Sequence, residues 1–268
     1  MRAHLLQYDI AWEDKPANHE RVRVMLGGTD VAPGDLVLLP EMFDTGFSIN
    51  LEATARDPER SMAFLHAIAS ETGATVVGGV SILGTDGRGR NRLVVSAPAG
   101  ETIATYDKIH PFSFGREGER FDGGELVRVF DWVSGNEELR VGLAVCYDLR
   151  FPELFRRLVD EGAEAFVVIA NWPAPRADHW RALMFARAIE NQAFALGVNR
   201  TGADPHLEYT GGSLGVDPKG RLIGEASAGE GALTLELAPT LVRRWRSAFP
   251  ALRDRRLGAP GASDPVGI

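Results

Sequence analysis

The run Val141-Gly142-Leu143-Ala144-Val145-Cys146-Tyr147-Asp148-Leu149-Arg150-Phe151-Pro152-Glu153 changes character at its sixth residue. Its first five positions are apolar without alternation, the pattern of a strand buried on both faces, and Cys146 ends that strand. A polar turn follows. Pro152, whose fixed φ suits a first helical turn and whose missing N–H is no loss there, then opens a helix through Val159. A strand that must be covered on both faces and passes directly into a helix predicts an α/β fold with helix-covered sheets.

The same pattern recurs outward from this run. Leu36-Val37-Leu38-Leu39-Pro40, Val76 to Leu83, Leu93 to Ser96 and Phe166 to Ala170 are short, apolar, β-branched-rich runs bounded by Gly, Pro, Asn or Asp, and read as buried strands. Met62, Leu65, Ile68 and Ala69 recur three and four apart, and Asp178 to Gln192 is long and unbroken, as helices require. Asp86-Gly87-Arg88-Gly89 and Asp217-Pro218-Lys219-Gly220 carry the turn chemistry of strand-to-strand connections, so the sheets are expected to be mixed. No linker composition or short repeat divides the chain. A single domain over residues 1–252 is expected, followed by a tail-like stretch, 253–268, that contains Gly258-Ala259-Pro260-Gly261-Ala262-Ser263.

Composition narrows the partners. With 29 Lys and Arg against 37 Asp and Glu, the net charge of −8 argues against nucleic acid and against an anionic membrane surface, since both require a basic face. Hydrophobic residues at 44% and charged residues at 25% fit a globular chain with a sizeable core and exclude disorder as a whole. Asp9, Glu13 and Asp14 interrupt the N-terminus before a signal-peptide apolar region can develop, and no run approaches the ~18 apolar residues of a membrane span. The lone Cys146 makes no internal disulfide and is better tolerated in a reducing compartment, so a cytoplasmic location is expected. There is no phosphate loop, no His-Glu-x-x-His and no cysteine pair, and the six histidines lack ligand spacing; neither metal nor cofactor is expected.

Three positions stand out chemically. At a strand-to-helix turn Cys146 can project as a nucleophile while nearby backbone N–H groups receive an oxyanion, although free cysteines are often inert core fillers. Glu41 ends another apolar strand, before Met42-Phe43-Asp44-Thr45-Gly46-Phe47-Ser48; withdrawn from water it can serve as general base, or it can be a helix cap or a surface ion pair. Lys108, a residue type that is mostly solvated, lies in Tyr106-Asp107-Lys108-Ile109-His110-Pro111-Phe112, where His110 invites a Cys/His dyad and Pro111 makes an equally good structural turn.

Together, Leu39-Pro40-Glu41-Met42-Phe43, Asp107-Lys108-Ile109-His110 and Val145-Cys146-Tyr147-Asp148-Leu149-Arg150-Phe151-Pro152-Glu153 resemble the ordered motifs of the nitrilase, or carbon-nitrogen hydrolase, superfamily. The resemblance runs from the first strand to Phe249-Pro250-Ala251-Leu252-Arg253. It implies a four-layer αββα sandwich, a Glu41-Lys108-Cys146 triad and a homodimer. It also implies a second glutamate before an aromatic that leads into glycine: Glu117 fits, with Phe121-Asp122-Gly123-Gly124 following, and Glu119 is the alternative.

Phe43-Asp44-Thr45-Gly46-Phe47, Ala170-Asn171-Trp172-Pro173 through Arg176 and His179-Trp180, and Ala186-Arg187-Ala188-Ile189-Glu190-Asn191-Gln192 leading to Asn199-Arg200 look most like the omega-amidase branch, which removes the terminal amide of 2-oxoglutaramate or 2-oxosuccinamate. On that resemblance the partners are a small-molecule amide and water, Tyr147 supplies an oxyanion N–H, and Arg150 and Arg176 are candidates for the substrate carboxylate, with a brace to Asp148 or Glu153 as the alternative for Arg150 and plain solvation for Arg176. Phe43, Phe112, Tyr147 and Trp172 are candidates to shape the pocket, with core packing as the alternative for each. A hydrolase of N-carbamoyl or other small linear amides would use the same triad with a different acid pocket.

Overall fold

A computed structural model describes residues 1–257; of the tail-like stretch, 258–268 lie outside the described residues, Arg253 and Asp254 end a short 3-10 turn, and Arg255 pairs with Asp160 at 2.6 Å. The strands are β1 (Arg2–Gln7), β2 (Leu36–Leu38), β3 (Thr75–Leu83), β4 (Gly89–Ser96), β5 (Thr102–Asp107), β6 (Val129–Ser134), β7 (Glu137–Val145), β8 (Ala165–Ala170), β9 (Phe194–Asn199), β10 (Thr201–Ala203), β11 (Glu208–Thr210), β12 (Leu214–Val216), β13 (Leu222–Glu225) and β14 (Gly231–Glu236). The α-helices are α1 (Lys15–Gly27), α2 (Leu51–Thr54), α3 (Pro58–Thr72), α4 (Pro152–Asp160), α5 (Ala177–Asn191) and α6 (Pro239–Ala248).

Two six-stranded mixed sheets, ordered β14-β1-β2-β3-β4-β5 and β13-β12-β9-β8-β7-β6, carry the molecule, and β10 and β11 form a separate hairpin. In each sheet three neighbouring strands run parallel: β1, β2 and β3 in the first, and β7, β8 and β9 in the second. The expected connections at Asp86–Gly89 and Asp217–Gly220 join the antiparallel pairs β3–β4 and β12–β13.

Side-chain alternation explains why the strands read as unbroken apolar runs. Leu36, Leu38, Val77, Leu93 and Val95 face the second sheet and join one core with Leu143, Val145, Val167, Ile169 and Leu196. The residues between them, Val37, Leu39, Val76 and Val94, face outward and pack under Val22 of α1 and Phe64, Leu65, Ile68 and Ala69 of α3. Leu154, Phe155 and Leu158 of α4 and Trp180, Met184 and Ala188 of α5 cover the other sheet in the same way. The result is the expected helix–sheet–sheet–helix sandwich. Helix entry follows ordinary capping: Asp14 accepts from Ala17 N and Asp57 from Arg60 N, each with proline in the first turn behind it. Among the described residues no helix is long and apolar enough to cross a membrane.

Candidate active site

The site forms beyond the carboxyl ends of the parallel strands, where open α/β sheets leave crevices. Glu41 follows β2, Lys108 follows β5, Cys146 follows β7, Asn171 follows β8, and Glu117 stands in the 3-10 turn Glu117–Glu119. Turning sharply off a strand end has a backbone signature. Cys146 (φ 49°), Met42 (φ 43°), directly after Glu41, and Arg116 (φ 61°), directly before Glu117, all adopt left-handed conformations. Such a conformation costs a non-glycine residue about 1 kcal/mol or more and persists only where the surroundings impose it. At Cys146 the brace is Asp148, which accepts from Val145 N at 3.0 Å, Tyr106 Oη at 2.8 Å and His110 N at 3.0 Å, and contacts His110 Nδ1 at 2.7 Å. Asp148 thereby ties the nucleophile turn to the loop that carries Lys108. His110 is engaged there, stacked on Phe151 at 3.8 Å between centroids, and forms no dyad with Cys146.

Lys108 Nζ donates to Glu41 Oε1 at 2.9 Å and to Glu117 Oε2 at 2.8 Å, and all three side chains are buried. Asn91 Nδ2 also bridges the carboxylates, at 2.7 Å to Glu41 Oε1 and 2.8 Å to Glu117 Oε1. The other oxygen of Glu41 accepts from Asn171 N at 2.9 Å, and Glu117 Oε2 accepts from Phe112 N at 2.6 Å. Cys146 Sγ lies 3.9 Å from Asn171 O. Glu119 instead faces outward and pairs with Arg116 at 2.8 Å, so the inward glutamate of the two is Glu117.

Burial disfavours the Lys108 cation, but the charges of Glu117 and Glu41 outweigh it and hold the ammonium well above its usual range. For Cys146, burial pushes the thiol well up and the Glu41 charge adds to this, against a smaller opposing effect of Lys108. The resting site therefore favours a neutral thiol beside a charged ammonium.

Cys146 opens on a cavity of about 510 Å³ whose lining includes Phe112, Tyr147, Arg150, Asn171, Trp172 and Arg176. Arg150 lies over the Trp172 ring at 4.7 Å and approaches His179 Nδ1 at 3.4 Å; it braces neither Asp148 nor Glu153. Arg176 lies over the Phe112 ring at 5.4 Å. Phe43 departs from its expected place at the pocket wall. Its N–H bonds to Gly79 O at 2.9 Å, which turns the ring to the helix side of the first sheet, where it stacks with His19 and Phe64 in the core.

Other participants were not singled out from the sequence. Asn91 is one polar residue in Arg90-Asn91-Arg92, and only its burial marks it. Trp12, Phe47 and Tyr209 also line the cavity; Tyr209 comes from β11, whose hairpin is pinned by Asp204 accepting from His206 N, Leu207 N and Tyr209 Oη. These residues are brought together by long-range loop placement that leaves no local pattern.

A thiol beside a carboxylate and a fixed ammonium, at the strand ends of an αββα sandwich, defines a hydrolase of carbon–nitrogen bonds, and the chain belongs to the carbon-nitrogen hydrolase family, whose model matches residues 2–247. Among particular relatives, it is 36% identical over 256 residues to omega-amidase YafV of Escherichia coli strain K12, covering 95% of this chain and 96% of that protein. It is 32% identical over 253 residues to 2-oxoglutaramate amidase of Bacillus subtilis strain 168, covering 94% and 96%. The structure of XC1258 from Xanthomonas campestris, a CN-hydrolase superfamily protein with an arsenic adduct in its active site, superposes with a TM-score of 0.88 at 32% identity over 100% of this chain and 99% of that one. The chain is an amide-cleaving hydrolase.

Proposed function

We propose that this hydrolase removes the terminal amide of small 2-oxo dicarboxylic acid monoamides, 2-oxoglutaramate and 2-oxosuccinamate, releasing ammonia through a thioester on Cys146. The carrying observation is the buried Glu41–Lys108–Glu117 cluster beside the only cysteine, at a cavity edged by Arg150 and Arg176. Those two guanidiniums rest on aromatic faces, and neither forms an ion pair among the described residues, so both remain available to a substrate carboxylate. The names of the Escherichia coli and Bacillus subtilis relatives support the same reading.

Because the resting thiol is protonated, attack is coupled to proton transfer. Glu41 takes the Cys146 proton as sulfur bonds to the amide carbon, and the carbonyl electron pair moves onto oxygen. Lys108 Nζ and the Tyr147 N–H, in the first turn after the strand, stabilise that oxyanion, at about 3 kcal/mol per donor in comparable sites. Lys108 stays charged and is no base. On collapse the C–N bond breaks, Glu41 gives its proton to the departing nitrogen, and ammonia leaves. Glu41 then accepts a proton from water as its oxygen attacks the thioester; the C–S bond breaks, the proton returns to sulfur, and the dicarboxylate product is freed. Glu117 holds Lys108 from the side opposite Glu41.

The test is ammonia release from 2-oxoglutaramate compared with glutamine, N-carbamoyl amino acids and a simple nitrile. We expect 2-oxoglutaramate to be preferred, and Cys146→Ala, Glu41→Gln and Lys108→Met each to lose roughly 10³-fold or more in kcat. Full activity of Cys146→Ala would refute the mechanism. Preference for an N-carbamoyl substrate would keep the mechanism and move the substrate assignment.

A further inference from the structure

We propose that Asn91 is a positioning residue of the amide-cleaving reaction, its side-chain amide holding the Glu41 and Glu117 carboxylates on either side of Lys108. The inference rests on the acyl-transfer chemistry proposed above and is independent of which amide is cleaved. Asn91 lies on β4 and touches three of the four groups. Its carbonyl accepts the Lys108 N–H at 2.9 Å, which fixes the backbone of the cation, and its two amide hydrogens go one to each carboxylate, at 2.7 and 2.8 Å. It is 2% exposed and not part of the cavity lining, so it acts through the carboxylates rather than on substrate.

The orientation of the amide carries the argument. Asn91 Oδ1 is buried and has no hydrogen-bond partner among the described residues, while both amide hydrogens are used on the carboxylates. The reverse orientation would set that oxygen against two anionic oxygens. The amide thus aims both donors at the catalytic carboxylates. Few side chains could do the same. Serine or threonine has one hydrogen to give, aspartate would add a third anion, and lysine or arginine would add a second cation and cancel the negative charge on which acceptance of the Cys146 proton depends. An uncharged amide supplies two donors and leaves the charge of the site as it is. Without it, Glu41 loses the donor that ties it to Glu117 and turns more freely about its remaining bonds from Lys108 and the Asn171 N–H.

The experiment compares Asn91→Ala and Asn91→Ser with the parent protein and with Val94→Ala, a buried change on the same strand whose side chain belongs to the helix-side core. Steady-state ammonia release and melting temperature are measured for each. The expected result for Asn91→Ala is a kcat about 100-fold lower with KM within about threefold of the parent, because a small misplacement of a reacting group costs turnover rather than binding. Asn91→Ser, with one donor restored, should fall between the two, and it carries the comparison if Asn91→Ala does not fold. Val94→Ala should lose melting temperature and keep its kcat. The proposal is overturned if the Asn91 variant retains kcat within about threefold of the parent, or if its activity falls only in step with its folded fraction. Failure of the parent to cleave 2-oxoglutaramate refutes the substrate assignment alone; the same kcat ratios are then read on the amide that it does cleave.

Discussion

Cys146 sits where a reactive thiolate would be expected, yet its surroundings favour the neutral thiol. Burial and the Glu41 carboxylate raise it, and Lys108, with its charge shared between two anions, offsets only part of this. Such a cysteine is activated by substrate rather than poised in advance. The measurable consequence is a rate of carboxamidomethylation by iodoacetamide that keeps climbing, by up to about tenfold per pH unit, beyond the ordinary thiol value of about 8.5, where an exposed cysteine levels off. A plateau reached near neutrality would show that Lys108 dominates and that the thiolate is preformed.

At the scale of elements, the site depends on how closely the Glu41 loop approaches β3. A Cβ built on Gly79 would come 2.8 Å from Glu41 Cα, 2.8 Å from Met42 N and 2.8 Å from Ile169 Cδ1 of the opposite sheet. Two of those atoms are backbone and cannot yield as a side-chain end can. Gly79→Ala should therefore destabilise the fold by about 2 kcal/mol and displace Glu41, with kcat falling more than KM. A raised KM with kcat unchanged, or a melting temperature equal to the parent's, would point away from this contact.

The elements themselves were legible where burial leaves a pattern. Runs such as Leu36 to Leu39 are apolar because both faces are covered, and Pro152 marks a helix start by its backbone chemistry. What the chain does not announce is which strand ends meet. Glu41 and Cys146 stand out at strand ends, whereas Lys108 carries little signal by itself and is joined to them only by the three ordered motifs together. Of the two readings open for Phe43, pocket wall or core, the structure realises the core, and the left-handed turn at the preceding Met42 leaves no periodicity that would decide between them. Asn91 and Tyr209 enter through tertiary placement alone.

For the molecule as a whole, a charged cluster far from the cavity makes stability depend on pH. Asp35 accepts from Arg2 Nη2, His4 Nε2 and Ala32 N at 2.9, 2.9 and 2.8 Å. Burial opposes its charge, but the bonds from His4, Ala32 and Arg2 prevail and hold its carboxyl below the usual range. A depressed carboxylate contributes stability above the unfolded value of about 3.9 and loses it as pH falls through the folded value. Asp35→Asn should thus cost about 2 kcal/mol near neutral pH, and the difference from the parent should shrink as denaturation is measured below pH ~4. A difference constant with pH would remove the charge from the explanation.

The first sheet is completed by the last strand among the described residues. β14 pairs antiparallel with β1 along its whole length, from Arg2 against Glu236 to Gln7 against Gly231, while Leu237 N bonds back to Met1 O at 2.9 Å. During synthesis the order of emergence matters. Lys108, Glu41 and Cys146 all leave the ribosome well before residues 231–236, and until those residues arrive β1 offers a bare edge that another nascent chain could occupy. A chain truncated before Gly231 should therefore aggregate or be captured by chaperones although every reacting group is already present, which pull-down of chaperones with the truncated chain would check.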